Sequence, residues 1–333
     1  MASEDGGARS RFQLIWVGGA IALIAIGLGL AFFRGSFRSS PPAGERVAVP
    51  LPPPPGGAKA MLLVPAPDPG LVEDTPNGPL PVISKDGRQS WQVYARPFDA
   101  KDTRPRIAII VTGIGLDQTL SQAALDRLPG AVTFGFDPYA AAVKPALANA
   151  RNLGHEALLG MPMEPLDYPR QDPGPLTLLT SLDATQNGAR LARLMGEATG
   201  YVGMVAILGS RFEVETQSLI PVLETLKQRG LMFADDKPPE QSTAAQLATQ
   251  MKLPWAAGDH VIDAESDPGS IDQALADLET RARARGAALG IAALSPALLD
   301  HLGAWLKTLD GKGITLAPAS AVANRQSPAQ PSP

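Results

Sequence analysis

From Arg106 to Leu316 short apolar runs alternate with segments of helical periodicity, and this alternation restricts the fold more than any other feature of the chain. Strands are read at 107–111, 132–136, 156–159, 201–207, 231–234, 261–262, 289–292 and 314–316. Helices are read near 117–128, 141–153, 184–198, 216–229, 243–251, 270–285 and 296–309. Strands joined through helices run parallel, with right-handed crossovers. The pattern predicts an α/β fold of roughly seven units, a closed or nearly closed barrel or a doubly wound open sheet. Several boundaries have a mechanism. Asp117 and Ser295 are N-cap residues, Pro296 follows at the first helical position, and Gly154 and Gly230 stand where a left-handed residue ends a helix.

The N-terminal part reads differently. After a tail at 1–13, residues 14–33 form an uncharged apolar run of about 20 residues, long enough to cross a bilayer as a helix. The run exceeds the roughly 7–15 residues of a signal-peptide core, and no A-x-A site precedes Arg34, so an uncleaved anchor is expected. Residues 34–88 are rich in proline (Pro50, Pro52, Pro53, Pro54, Pro55, Pro65, Pro67, Pro69) and lack apolar periodicity, which predicts a disordered tether. The domain proper is expected at 89–322, with Trp91-Gln92-Val93-Tyr94 a lead-in strand, and 323–333 as a disordered tail.

With a net charge of −4 the chain has no basic stripe for nucleic acid, so none is expected as a partner. Cysteine is absent, which excludes disulfides and thiolate chemistry, and three histidines are a sparse supply for a metal site.

In parallel α/β folds the chemistry gathers where strands end. Those ends carry Thr112-Gly113, Asp137-Pro138-Tyr139, Gly160 to Glu164, Ile207 before Gly209-Ser210-Arg211, Asp235-Asp236, Asp263 and Ala293. Carboxylates are present and histidine is not. His155 starts a strand, at the opposite end, and reads as structural; His260 and His301 read as a loop and a helix-surface residue. Trp255, Tyr139 and Tyr168 are candidates to stack on sugar rings or, equally, to pack.

From about Trp91 to Ala321 the chain resembles the divergent polysaccharide deacetylase family, a branch of the NodB-type fold. The resemblance rests on Ile114-Gly115, Val132-Thr133-Phe134, Pro138-Tyr139, Gly154-His155-Glu156, Pro162-Met163-Glu164-Pro165, Asp172-Pro173-Gly174-Pro175, Tyr201-Val202-Gly203 and Gly209-Ser210-Arg211-Phe212. It implies a distorted (β/α)7 barrel, here preceded by one transmembrane helix and the Pro-rich linker. Active members hold a divalent metal with Asp and His, and use an Asp base and a His acid to remove acetyl groups.

Carried over by position, that chemistry fails. The family's paired aspartates fall on Thr112 and Gly113, and its histidines on Gly160, Ile207 and Ala293, so no catalytic or metal-binding residue is assigned. Asp137, Glu164, Ser210, Arg211, Asp235 and Asp236 are the groove or ligand-binding candidates, with Arg211 expected to pair with Asp235 or Glu164. No cofactor is expected, unless carboxylates have rebuilt a site for a divalent cation. The resemblance thus implies a pseudoenzyme of envelope carbohydrate metabolism, in the inner (plasma) membrane as a single-pass protein, its globular domain periplasmic or extracellular. Its partner would be an envelope glycan or a cell-wall-associated protein. The alternatives are an active carbohydrate deacetylase with a rebuilt site and a protein-interaction scaffold.

Overall fold

The computed structural model describes residues 62–238, 242–262 and 268–326. The expected span at 14–33 and the first half of the Pro-rich segment, through residue 61, lie outside them. Among the described residues no helix is long and apolar enough to cross a membrane.

The chain is an α/β fold built on one curled parallel sheet. In chain order its strands are β3 (Arg106–Ile114), β4 (Thr133–Phe136), β5 (Ala157–Met163), β6 (Gly203–Leu208), β7 (Met232–Asp235), β8 (Trp255–Ala257), β9 (His260–Ile262), β10 (Ala287–Ala293) and β11 (Thr315–Ala317). The sheet order is β8-β7-β6-β5-β4-β3-β10-β9, with β11 against the start of β3. Helices α2 (Gln118–Arg127), α3 (Val143–Asn152), α4 (Ala184–Met195), α5 (Thr216–Gln228), α6 (Thr243–Met251), α7 (Pro268–Arg285) and α8 (Pro296–Leu306) make the crossovers.

Alternation along β3 sorts side chains between two cores, as a period of two requires. Ile107, Ile109 and Val111 face the helix layer, while Ala108 and Ile110 join Leu158, Val205, Ala234, Ala256, Leu289 and Ile291 in an inner core. The two ends of the sheet are brought together by one bent segment. β8 pairs with β7 and β9 with β10, while between them Gly258 N donates to Asp235 O (2.8 Å) and Asp259 N to Leu289 O (2.8 Å).

The end of the sheet where strands begin is plugged. Glu156, fully buried, accepts from Ser320 N (2.9 Å), Ser320 Oγ (2.5 Å) and Arg96 N (3.1 Å), fastening the turn 319–322 beneath β4 and β5. His155 stacks on Phe134 at 4.2 Å, its Nδ1 lies 2.9 Å from Val132 O, and burial pushes its pKa down to about 4. It is a packed core histidine, as its place at the start of a strand predicts. His301 lies 2.7 Å from Asp272 across two helices, and His260 opens β9, 3.6 Å from Asp277.

Three expectations are corrected and one open alternative is decided. The disordered tether does not extend to residue 88. β1 (Val72–Thr75) and β2 (Gly78–Pro81) form an antiparallel hairpin, Leu71 and Leu80 are buried, and Tyr94 Oη accepts from Asp68 N (2.8 Å). Its prolines are tolerated because the hairpin is an isolated two-stranded edge with no ladder to feed on its far side. The lead-in strand is a short helix, α1 (Ser90–Val93). Residues 323–326 belong to the fold: Gln326 accepts from Ala257 N (2.8 Å) and donates to Ala257 O (2.6 Å) and Asp259 Oδ2 (2.7 Å). Trp255 is 3% exposed and so packs instead of offering a face to a sugar.

Candidate functional site

Strands β3, β4, β5, β6, β7 and β10 end on one side of the sheet, where the candidate residues gather. At the end of β3 the pairing register with β4 shifts between Val111 and Ile114, and Gly113 takes φ +78°, which L side chains rarely adopt. An aspartate at this position would therefore be strained before it met any ligand. The Thr112 hydroxyl donates to Ala292 O at 3.3 Å across the β3–β10 pair, where Thr112 lies opposite Ala293.

Gly160 is hemmed in. A Cβ at this position would lie 3.1 Å from Pro138 Cδ, 3.2 Å from Phe136 O and 3.3 Å from Ile207 Cγ1. All three contacts are tighter than ordinary van der Waals packing, so a side chain here requires its neighbours to shift by a few tenths of an ångström. Ile207 packs against the inner core and is followed by Leu208 at φ +64° and Gly209 at φ +93°. Tested by the chemistry of these donors, the metal of active deacetylases does not fit. Thr112, Gly113, Gly160, Ile207 and Ala293 offer one hydroxyl, already engaged, and no imidazole or carboxylate.

The polar candidates fall into two groups, with Asp137 apart. In the first, Glu164 is buried and its Oε2 accepts from Thr180 N (2.6 Å) and Thr180 Oγ1 (2.8 Å), while Arg211 Nε approaches Oε1 at 3.5 Å. The main chain of Glu164 accepts from Arg211 N and Phe212 N, both at 3.1 Å. Ser210 Oγ accepts from Leu166 N (3.0 Å). Glu164, Ser210 and Arg211 thus lash together the loops after β5 and β6. Of the two partners expected for Arg211, Glu164 is the one it meets. Asp137 turns its carboxylate onto Tyr139 N (2.8 Å), and burial raises its pKa.

The second group lies at the ends of β6 and β7. Asp235 is buried; one oxygen accepts from Lys237 N (3.0 Å), and the other takes the Ser242 hydroxyl, whose oxygen also caps α6 at Ala245 N (2.7 Å). Burial pushes Asp235 up to about 6; burial and the neighbouring Asp235 charge push Asp236 up to about 7. Lys237, pushed down to about 8 by burial, is ion-paired with Glu213 and lies 4.0 Å from Asp236. Glu213 went unseen in the sequence. It sits in a 3-10 turn, Phe212–Val214, too short to have periodicity, and its nearest signal is its place after Gly209-Ser210-Arg211-Phe212. Oxygens of Glu213, Asp235 and Asp236 lie within 4.8 Å of one another. Asp263 lies outside the described residues.

A curled parallel sheet with its polar groups collected at the strand ends is consistent with a deacetylase-type α/β barrel. The family model of divergent polysaccharide deacetylases matches residues 109–323, well over half of the chain. The chain therefore belongs to the divergent polysaccharide deacetylase family. Its fold is similar to the crystal structure of the uncharacterized protein ATU2773 from Agrobacterium tumefaciens C58, at 38% identity and a TM-score of 0.71, covering 74% of this chain and 99% of that one. An uncharacterized protein of Haemophilus influenzae is 22% identical over 204 residues, 61% of this chain and 72% of that protein.

Proposed function

We propose that this chain is a catalytically silent member of its family. It would be held in the inner membrane by residues 14–33, with its globular domain on the periplasmic or outer side. There it serves envelope carbohydrate metabolism by binding, not hydrolysis. We take the curled sheet as the family's distorted (β/α)7 barrel, the bent 255–262 segment serving as one strand. The observation that carries the proposal is Gly160: the position lacks a ligating side chain, and a Cβ there would lie 3.1–3.3 Å from Pro138, Phe136 and Ile207, so restoring one costs a rearrangement of its neighbours. Without an imidazole at the strand ends there is also no acid of the family's kind to protonate a leaving amine.

The ligand of the mouth is an envelope glycan. The full-length chain, given acetylated chitooligosaccharides and peptidoglycan fragments with and without added divalent metal, should release no acetate and should bind one of them by calorimetry. Acetate release with turnover refutes the silent reading. A second reading, docking of a cell-wall-associated protein, is favoured by one observation. Leu116, Leu166 and Val214, on the loops after β3, β5 and β6, are 65%, 71% and 56% exposed, an apolar rim better suited to protein than to sugar hydroxyls. Absence of glycan binding at millimolar ligand decides for it.

A further inference from the structure

At the end of the sheet where strands begin, opposite the mouth, a cavity of about 290 Å³ lies between the end of α6, the start of β8 and residues 324–326. Thr249, Lys252, Leu253, Trp255, Asn324 and Gln326 line it. That volume stands at the lower end of small-molecule pockets. We infer that this cavity is a binding site, separate from the mouth, for a small monocarboxylate with an apolar, ring-sized body.

Three observations support it. The first is an excess of donors. Lys252 Nζ, Asn324 Nδ2 and Trp255 Nε1 carry N–H groups, and among the described residues none of them donates to a protein acceptor. The other polar groups of the wall are engaged. Thr249 Oγ1 donates to Ala245 O (2.8 Å), Asn324 Oδ1 accepts from Trp255 N (3.2 Å), and both ends of the Gln326 amide serve Ala257 and Asp259. No carboxylate lines the cavity, so unused donors and an ammonium remain, which is the complement of an anion.

The second is Trp255. It is 3% exposed, so its ring is packed. The side-chain atoms shut off from solvent without a hydrogen bond belong, among the described residues, to the Glu213–Lys237 ion pair. The Trp255 N–H is not one of them, so it opens on the cavity that Trp255 lines. A buried indole N–H ordinarily finds an acceptor, and here one is wanting.

The third is the backbone. Among the described residues three that are not glycine have positive φ, Leu208, Lys252 and Asn324, and two of the three line this cavity. Lys252, at φ +57°, ends α6 in the left-handed conformation, where glycine is the usual residue. Asparagine takes that conformation readily and lysine does not. The strain sets an ammonium at the wall, and strain of this kind gathers at ligand sites. One ammonium beside the negative end of a helix dipole matches a single negative charge better than a phosphate dianion. Leu253 and the indole supply the apolar wall for the rest of the ligand.

The experiment is NMR titration of the full-length chain labelled with 15N in its tryptophan indoles, of which there are four. The Trp255 signal is the one missing from Trp255→Phe. Sodium benzoate should move it and saturate at millimolar concentration, while benzamide and inorganic phosphate should bind at least about tenfold more weakly. Lys252→Gly suits the left-handed turn, and Asn324→Asp keeps the acceptor for Trp255 N while replacing a donor by a negative charge. Each should weaken benzoate by about tenfold or more, with Lys252→Gly melting no lower than the wild type. A Trp255 signal that stays still at tens of millimolar benzoate overturns the proposal. So does benzamide or phosphate binding as tightly as benzoate, or benzoate binding indifferent to both substitutions.

Discussion

Gly160→Ala puts the closure of the old metal position to a quantitative test. In a strand, replacing glycine by alanine ordinarily stabilises a protein by about 0.5–1 kcal/mol, because the unfolded chain loses freedom. Here the added methyl meets Pro138 Cδ at 3.1 Å, Phe136 O at 3.2 Å and Ile207 Cγ1 at 3.3 Å. The carbonyl belongs to β4 and the proline ring is stiff, so only Ile207 can yield by the few tenths of an ångström required. Overpacking of this kind costs about 1–3 kcal/mol, leaving a net destabilisation between about 0 and 2.5 kcal/mol, centred near 1 kcal/mol. Equilibrium urea unfolding of the wild type and Gly160→Ala measures it. The same change on an Ile207→Ala background should cost about 0.5–1 kcal/mol less, since the one compliant neighbour is gone. A Gly160→Ala that is stabilising by the usual amount, about 0.5–1 kcal/mol, would mean that space persists there, and the packing argument would fail.

Two further outcomes are expected. His155 has a folded-state pKa near 4 against about 6.5 unfolded, so the unfolded chain takes up the proton first as pH falls. Stability present above about pH 6.5 is then lost toward pH 4, by about 3 kcal/mol for this group. Glu156, raised by burial, works in the opposite sense, so the decisive quantity is the difference between wild type and His155→Gln in urea unfolding across that window; parallel curves refute the assignment. Leu71→Ala should cost about 2–5 kcal/mol by thermal or urea unfolding, because Leu71 is fully buried; a loss below about 0.5 kcal/mol would return the hairpin segment to the tether.

How much of this was legible in the sequence depended on whether a signal had length. β3, apolar on both faces, and the alternation after it carried the sheet and its direction. The caps were readable because they are single-residue chemistry: Asp117 accepts from Leu120 N (2.9 Å), Ser295 from Leu298 N (3.1 Å), and Gly154 and Gly230 take φ +91° and +66°. β8 escaped because three residues after a proline show no period. The hairpin escaped because Pro79 and Pro81 read as linker, although an edge strand tolerates them. At the site, the vacated metal positions followed from residue identity. The Glu213–Asp235–Asp236 meeting did not, because it joins a short turn to the end of a strand some 20 positions on, and no spacing rule covers such a contact.

The bent segment through Gly258 makes the edge of the sheet depend on the last of the described residues. Since 255–262 serves β7 with its first half and β10 with its second, the seam has no partner strand to spare at the bend, and the Gln326 amide meets Ala257 N and O there as a peptide group would. A side chain near the carboxyl end thus acts as the missing rung of the ladder. Cleavage just before it would leave the helices untouched and remove the side chain that occupies Ala257 at the bend.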